Sequence, residues 1–336
     1  MSTAPVDTRQ VPGSPQNVPA AKAKAGRDPH YLALRNFAIS ISVFNIFGYT
    51  LLGFEQAWIF PIYAVLTAYT TEIVLETLTA WAGSRRPRYR DGGVRGLYEF
   101  LLPAHITALA VNMLIYTNNQ VGPVIFGAMV GVSGKYIFRA PIKGKMRHFM
   151  NPSNLGIVAV LVLFSRWIAI AQPYEFVENT NGFFKIMVPI IILTAGTVLN
   201  ATLTKRTALI VGFMGGFAIQ AFFRHWIWDV SLFSALGVMT NVPFILFANY
   251  MISDPGTTPS KARPAFMFGG SVAFVYGALM QANIVYTLFF ATAIVCAFRG
   301  GGWWAAHFYN RYRTSRRAQA KAPLAATVQT TPLAAL

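Results

Sequence analysis

Glu72 and Glu76 stand four residues apart in the apolar stretch 58–81, a spacing that puts both carboxylates on one face of a helix. Carboxylates inside such a stretch are expensive in lipid, and they mark ion paths, proton relays or paired charges between helices. His105 lies in the next apolar stretch and Lys135 in the one after it. At about 1.5 Å of rise per residue, Glu72 and His105 fall roughly 13 and roughly 12 Å from the same end of their helices, and Glu76 and Lys135 roughly 5–7 Å. Depth therefore couples Glu72 with His105 and Glu76 with Lys135. Two such acid–base couples serve either as a proton or cation relay or as ionic glue between helices, and the spacing leaves both open.

A second group of residues lies in two polar connections. In the first, Lys143, Lys145, Arg147 and His148 precede Asn151-Pro152-Ser153-Asn154. Asn151 reads as a helix N-cap and Pro152 as the first helical residue. Free backbone N–H groups beside four bases suit a phosphate or carboxylate; the same residues also suit an ordinary capped helix start. The second connection runs Asp254-Pro255-Gly256-Thr257-Thr258-Pro259-Ser260-Lys261-Ala262-Arg263 and repeats the pairing of a capping side chain with proline. Both turns are expected to start helices and to converge on one cavity, because irregular backbone in lipid persists only where protein buries it or where it lines a cavity. The candidate anion, flavin or partner residues are Lys143, Lys145, Arg147, His148, Asn151, Ser153, Asn154, Asp254, Thr257, Thr258, Lys261 and Arg263.

Other chemistries are disfavoured. Of His30, His105, His148, His225 and His307, only His105 falls well inside an apolar stretch, whereas membrane haem needs two facing imidazoles. Cys296 is the single cysteine, so no intrachain disulfide, cysteine zinc site or cysteine-held cluster is expected, and no metal is. No GxGxxG follows a strand pattern and no GxxxxGK occurs.

The elements that must position these residues follow from composition. The 336 residues are 54% hydrophobic and 12% charged, against about 25% charged in an ordinary soluble domain. Apolar stretches occur at 36–53, 58–81, 97–116, 121–138, 153–172, 184–203, 207–223, 232–252, 265–281 and 284–299. The expected fold is an all-α polytopic integral membrane helix bundle of about ten transmembrane helices, in two five-helix halves, with the bilayer as its first partner. Residues 1–30 are expected to be a disordered tail without a signal-peptide core, 31–300 the membrane domain, and 301–336 a basic, largely disordered tail. Placing the N-terminus inside puts 25 of the 28 Lys and Arg residues inside; only Arg166, Lys185 and Arg224 fall outside. That split predicts cytoplasmic termini in a bacterial cytoplasmic membrane and reads the +17 net charge as orientation, with no nucleic-acid partner. Trp58, Trp167, Trp226 and Trp228 fall near the predicted outer interface. Gly212, Gly215, Gly216, Gly269, Gly270 and Gly277 read as points of close helix approach.

Three segments together resemble a known membrane-protein family: Gly134-Lys135-Tyr136 through Asn151-Pro152-Ser153-Asn154-Leu155-Gly156, Asn200 through Lys205-Arg206 to Gly215-Gly216, and Asp254-Pro255-Gly256-Thr257-Thr258-Pro259. It is the NqrB/RnfD family, whose members are membrane components of the sodium-pumping NADH:quinone reductase and of the Rnf electron-transport complex. The match covers roughly residues 28–300 and is closer still to the UnbU-type enediyne biosynthesis membrane proteins. The resemblance implies ten helices, a place within a redox complex or beside biosynthetic enzymes, and flavin as electron carrier. Members carry FMN on a threonine of an Asp-x-x-Ser-Gly-Ala-Thr segment. The corresponding run here, Gln172 to Gly182, has Thr180 without the preceding Ser-Gly-Ala, so no covalent FMN is expected. What the resemblance leaves is a non-covalent flavin (FMN or riboflavin) or a quinone. A transporter or exporter, or a scaffold for biosynthetic enzymes, are the competing classes.

Overall fold

The computed structural model describes residues 29–142 and 144–326. Among them the chain forms α1 (Pro29–Phe47), α2 (Phe60–Ala82), α3 (Gly93–Leu114), α4 (Val121–Ile137), α5 (Pro152–Leu163), α6 (Gly182–Leu199), α7 (Thr207–Trp228), α8 (Leu232–Gly237), α9 (Val242–Leu246), α10 (Ala262–Gln281) and α11 (Thr287–Ala326). α1, α6 and α9 each run on into a single π turn, at Gly48–Leu52, Asn200–Thr204 and Phe247–Met251.

Among the described residues, five segments are long and apolar enough to cross a bilayer: Tyr31–Leu52, Gly93–Leu114, Gly182–Thr204, Thr207–Trp228 and Thr287–Arg317. A sixth is broken, with Leu232–Thr240 and Val242–Met251 meeting at 64°. The second piece starts at Asn241 with Pro243 in its first turn, where a missing N–H costs nothing. α4 and α5 are apolar but shorter. The outward faces carry large apolar side chains, with Phe233 94%, Trp226 82% and Phe274 74% exposed. Water would not tolerate so much exposed apolar surface, whereas acyl chains match it. The protein is a helical membrane protein.

The connections gather at two poles. At the basic pole, Arg206 Nη2 donates to the carbonyls of Pro255 and Thr258. There too Arg299 Nη1 donates to the Thr257 carbonyl at 2.8 Å and the Trp304 indole N–H to the Arg139 carbonyl at 3.0 Å. At the opposite pole, Gln56 bonds Thr117 and the Ile115 carbonyl, Asn179 N donates to the Leu52 carbonyl and Tyr286 to the Ile168 carbonyl. Close packing between helices rests on glycine. A Cβ on Gly212 would sit 2.2 Å from the Phe266 carbonyl oxygen, and one on Gly269 2.2 Å from that of Leu209, so α7 and α10 meet backbone to backbone.

Two expectations need correction. The stretch 153–172 is helical only to Leu163; beyond it Ala169–Ile170 (β4) pairs antiparallel with Ile115–Tyr116 (β1). Ser165-Arg166-Trp167 interrupts the apolar run, and Ile168 and Ala171 are buried by tertiary packing. Residues 301–326, expected within a disordered tail, continue α11. The remaining tail residues, 1–28 and 327–336, lie outside the described residues. A second ribbon, Arg139–Ile142 (β2) with Lys145–His148 (β3), was not anticipated by the helical pattern.

Candidate functional site

The buried stripe of α2 is Phe60, Ala64, Ala68, Glu72, Glu76 and Ala80, a strict four-residue repeat. Its alanines admit α3 and α4 closely, and its two carboxylates then face a cavity of about 940 Å³ at the basic pole. The cavity is walled by α1 to α4, the β2–β3 ribbon, the start of α5 and residues 254–256.

Neither acid–base couple expected from depth is formed. Glu72 is ion-paired with Lys135, and its other oxygen accepts the Tyr136 hydroxyl at 3.0 Å. Glu76, fully buried, accepts four bonds: from Arg85 Nη1 at 2.6 Å and from Arg88 N, Nε and Nη2 at 2.9, 3.0 and 2.8 Å. His105 bonds Tyr69 through Nδ1 at 2.9 Å and Ser42 through Nε2 at 2.8 Å, and it does not line the cavity. Helical rise fixes height but not azimuth: the α2 carboxylates turn toward α4 and the 83–92 connection, and His105 turns toward α1. The four-residue relay is therefore not assembled. Arg85, Arg88 and Tyr136, which complete these pairs, were missed; the one signal was that Arg85 and Arg88 follow α2 closely enough to fold back on it.

Of the two polar turns, the first is a capped start. Asn151 Oδ1 accepts from Asn154 N at 3.0 Å, Pro152 opens α5, and Asn151 Nδ2 donates to the Met251 carbonyl at 2.9 Å. The second is not a helix start. Asp254 Oδ1 accepts from Gly256 N at 3.0 Å and Oδ2 from the Thr257 hydroxyl at 2.8 Å, closing a turn on itself. α10 starts later, at Ala262, after Lys261 and with no side-chain cap. The turns nonetheless meet: Asn151, Pro152, Ser153, Asp254, Pro255 and Gly256 all line the cavity, and a Cβ on Gly256 would lie 3.2 Å from His148 Nε2.

The remaining candidates divide. Arg147 and His148 line the cavity, as does Arg139. Asn154 is buried beside it and ties α5 to α11 by donating to the Phe289 carbonyl at 3.0 Å. The Thr257 and Thr258 hydroxyls are spent within the Asp254 turn. Lys145, Lys261 and Arg263 are exposed outside the cavity, and Lys143 lies outside the described residues. Thr180 sits at the opposite pole, its hydroxyl donating to the Val177 carbonyl at 2.6 Å.

Charge in the cavity is unevenly matched. Glu76 is shared by Arg85 and Arg88, and Glu72 is taken by Lys135. Arg139 donates to the Met146 carbonyl at 3.1 Å but has no carboxylate, and Arg147 has no hydrogen-bond partner among the described residues. Burial pushes the His148 imidazole below its ordinary value of 6.5, with Asp254 opposing, so it is neutral at pH 7. The ribbon thus offers two guanidinium groups with no carboxylate partner among the described residues, beside the N-terminus of α5. Deeper in, the cavity shares Phe37, Ile106, Ser153 and Tyr250 with a small apolar void of about 30 Å³, room for a water or two.

No protein-family model matches this chain, and no curated protein matches it.

Proposed function

We propose that the chain crosses a bacterial cytoplasmic membrane about ten times as two five-helix halves, with both termini cytoplasmic. On this reading it is the membrane component of an electron-transfer system of the RnfD/NqrB-like kind. Its basic-pole cavity holds a flavin (FMN or riboflavin) or quinone non-covalently, and its partners are other redox subunits or enzymes of enediyne or related secondary metabolism. The gathering of basic connections at one pole supports the orientation. The observation that carries the cofactor reading is the cavity itself. At about 940 Å³ it lies within the range of cofactor sites, and Arg139 and Arg147 have no carboxylate partner among the described residues.

Titration of the purified protein with FMN and with riboflavin, followed by flavin fluorescence, tests this. Arg147→Ala is expected to weaken FMN by roughly 10- to 100-fold, as for loss of one charged hydrogen bond, and to leave riboflavin, which has no phosphate, nearly unchanged. Failure of both flavins and of a soluble quinone to bind the wild type would refute the reading. A transporter is the second reading, favoured by the continuation of the cavity into the apolar void, as in a vestibule closed by a hydrophobic gate. Substrate flux in liposomes without flavin binding would favour it.

A further inference from the structure

A second cavity, of about 470 Å³, opens toward the lipid between α1 and α2. Both helices pack on α3 rather than on each other, which leaves a V-shaped groove floored by His105 and Leu109. Its two walls differ. Ser42 and Asn45 on α1 and Tyr49 on the π turn that continues it recur at helical spacing, while the α2 wall presents Ile62, Val65 and Leu66. Ile62 and Leu66 are 46% and 57% exposed, so the groove is open to the acyl-chain region.

The hydrogen bonding along the polar wall can be followed group by group. Ser42 Oγ donates to the Ala38 carbonyl at 2.8 Å. It therefore accepts from His105 Nε2–H, which leaves Nδ1 to accept the Tyr69 hydroxyl; both imidazole nitrogens are satisfied. Asn45 Nδ2 donates to the carbonyls of Ile41 and Leu109, which fixes its Oδ1 as the acceptor for Asn112 Nδ2. Asn112 Nδ2 also donates to Tyr49 Oη at 3.1 Å. Tyr49 is thus an acceptor within the protein, and its own O–H finds no acceptor among the described residues. Tyr49 lies three residues from the end of the Tyr31–Leu52 span and lines the groove together with Trp58, so its unused donor stands at the interfacial end of the groove, beyond the apolar α2 wall.

We infer that this groove is a binding site for a small membrane-dissolved molecule with an apolar body and one acceptor oxygen, such as a ketone, held by the Tyr49 hydroxyl against the apolar α2 wall. The volume lies within the range of small-ligand sites. The site is separate from the basic-pole cavity, sharing none of its lining residues, and stands whatever that cavity holds.

Benzophenone, a lipophilic aryl ketone that photolabels its surroundings, is the probe. With the purified full-length protein in phospholipid vesicles, labelling of peptides from α1 and α2 is expected to saturate. Fluorenone should compete with it, while fluorene, of the same shape but without the oxygen, should compete at least about fivefold more weakly, as for loss of one hydrogen bond. Tyr49→Phe should raise the half-saturating concentration by a similar factor, and Ile62→Trp should block labelling by filling the groove. Labelling that rises linearly without saturation, or equal competition by fluorene and fluorenone, would overturn the proposal. Saturable labelling in detergent that vanishes in phospholipid vesicles would assign the groove to a lipid chain and overturn it equally.

Discussion

Glu76→Gln tests whether the basic pole is fastened by a single carboxylate. Glu76 is fully buried and accepts four hydrogen bonds, all from Arg85 and Arg88. Glutamine keeps one acceptor oxygen and turns an NH2 group toward the donors on the other side. At about 1.5–3 kcal/mol per charged hydrogen bond, the two bonds lost are worth about 3–6 kcal/mol before solvent is considered. The Arg85 and Arg88 side chains are 39% and 60% exposed, so water recovers much of that, and about 2 kcal/mol is the expected net cost. The cost falls on opening of the 83–92 connection, whose open population should rise about 30-fold. Limited trypsin digestion at Arg85, Arg88 and Arg90 should accelerate by that factor while opening remains fast relative to cleavage, whereas the Arg86-Pro87 bond resists trypsin. Glu99→Gln, which removes only the exposed pair with Arg95, is the control and should change little. In a double-mutant cycle, Arg88→Ala should add almost nothing to Glu76→Gln. Cleavage within twofold of the wild type, or fully additive effects of the two substitutions, would refute the fastening.

Lys135→Met should destabilise by about 3–5 kcal/mol, leaving Glu72 with Tyr136 alone, and the double variant with Glu72→Leu should recover most of the loss in thermal melts. Because burial depresses the His148 value, the unfolded chain takes up a proton near its ordinary 6.5 before the folded one does. Stability is therefore full above that pH and falls below it, and His148→Gln should flatten the decline in melts between about pH 7 and pH 5. Glu175 shows the opposite sign. Burial raises it above its ordinary 4.5, so the folded protein keeps a proton that the unfolded one has lost, and stability drops as pH rises through that window. Glu175→Gln, which keeps the acceptor for Gln172 N, should therefore raise the melting temperature at pH 7 and have no effect near pH 4.

What was legible in the sequence was local or periodic. The Asn151 cap is an i to i+3 bond within one segment, written in Asn-Pro-Ser-Asn itself. Apolar runs located α2, α3, α4 and α7 to within a few residues at most ends, because lipid contact imposes one solvent on every face. The end of α5 was not legible, since Ile168 and Ala171 are as apolar as helix residues yet are buried in an extended segment paired to β1. Asp254 could cap a helix or close its own turn, and the choice fell to Gly256 and Thr257, whose N–H and hydroxyl reach its carboxylate first. Partners of charged groups were least legible, because a one-residue change in azimuth of about 100° leaves depth almost unaltered while exchanging every neighbour.

That exchange changes what the charged residues can do. A relay needs a member able to release one partner and take another. Both oxygens of Glu72 are engaged, by Lys135 and Tyr136, and both oxygens of Glu76 by two arginines. Releasing either would strand a buried charge, so in this structure the two carboxylates tie α2 to its neighbours. The groups left with unspent capacity are Arg139, Arg147 and neutral His148, all on the β2–β3 ribbon. The ribbon is held chiefly by its own pairing, by the Trp304 indole and by the Phe149 N–H to the Phe138 carbonyl. A two-stranded ribbon is marginal by itself, so this is the part of the cavity wall whose position a bound anion would alter most. On the proposed reading, anion capture at this pole falls to the ribbon. Salt should weaken that capture, since Arg147 is exposed, and should leave the Glu72–Lys135 pair nearly untouched, since both of its side chains are largely buried.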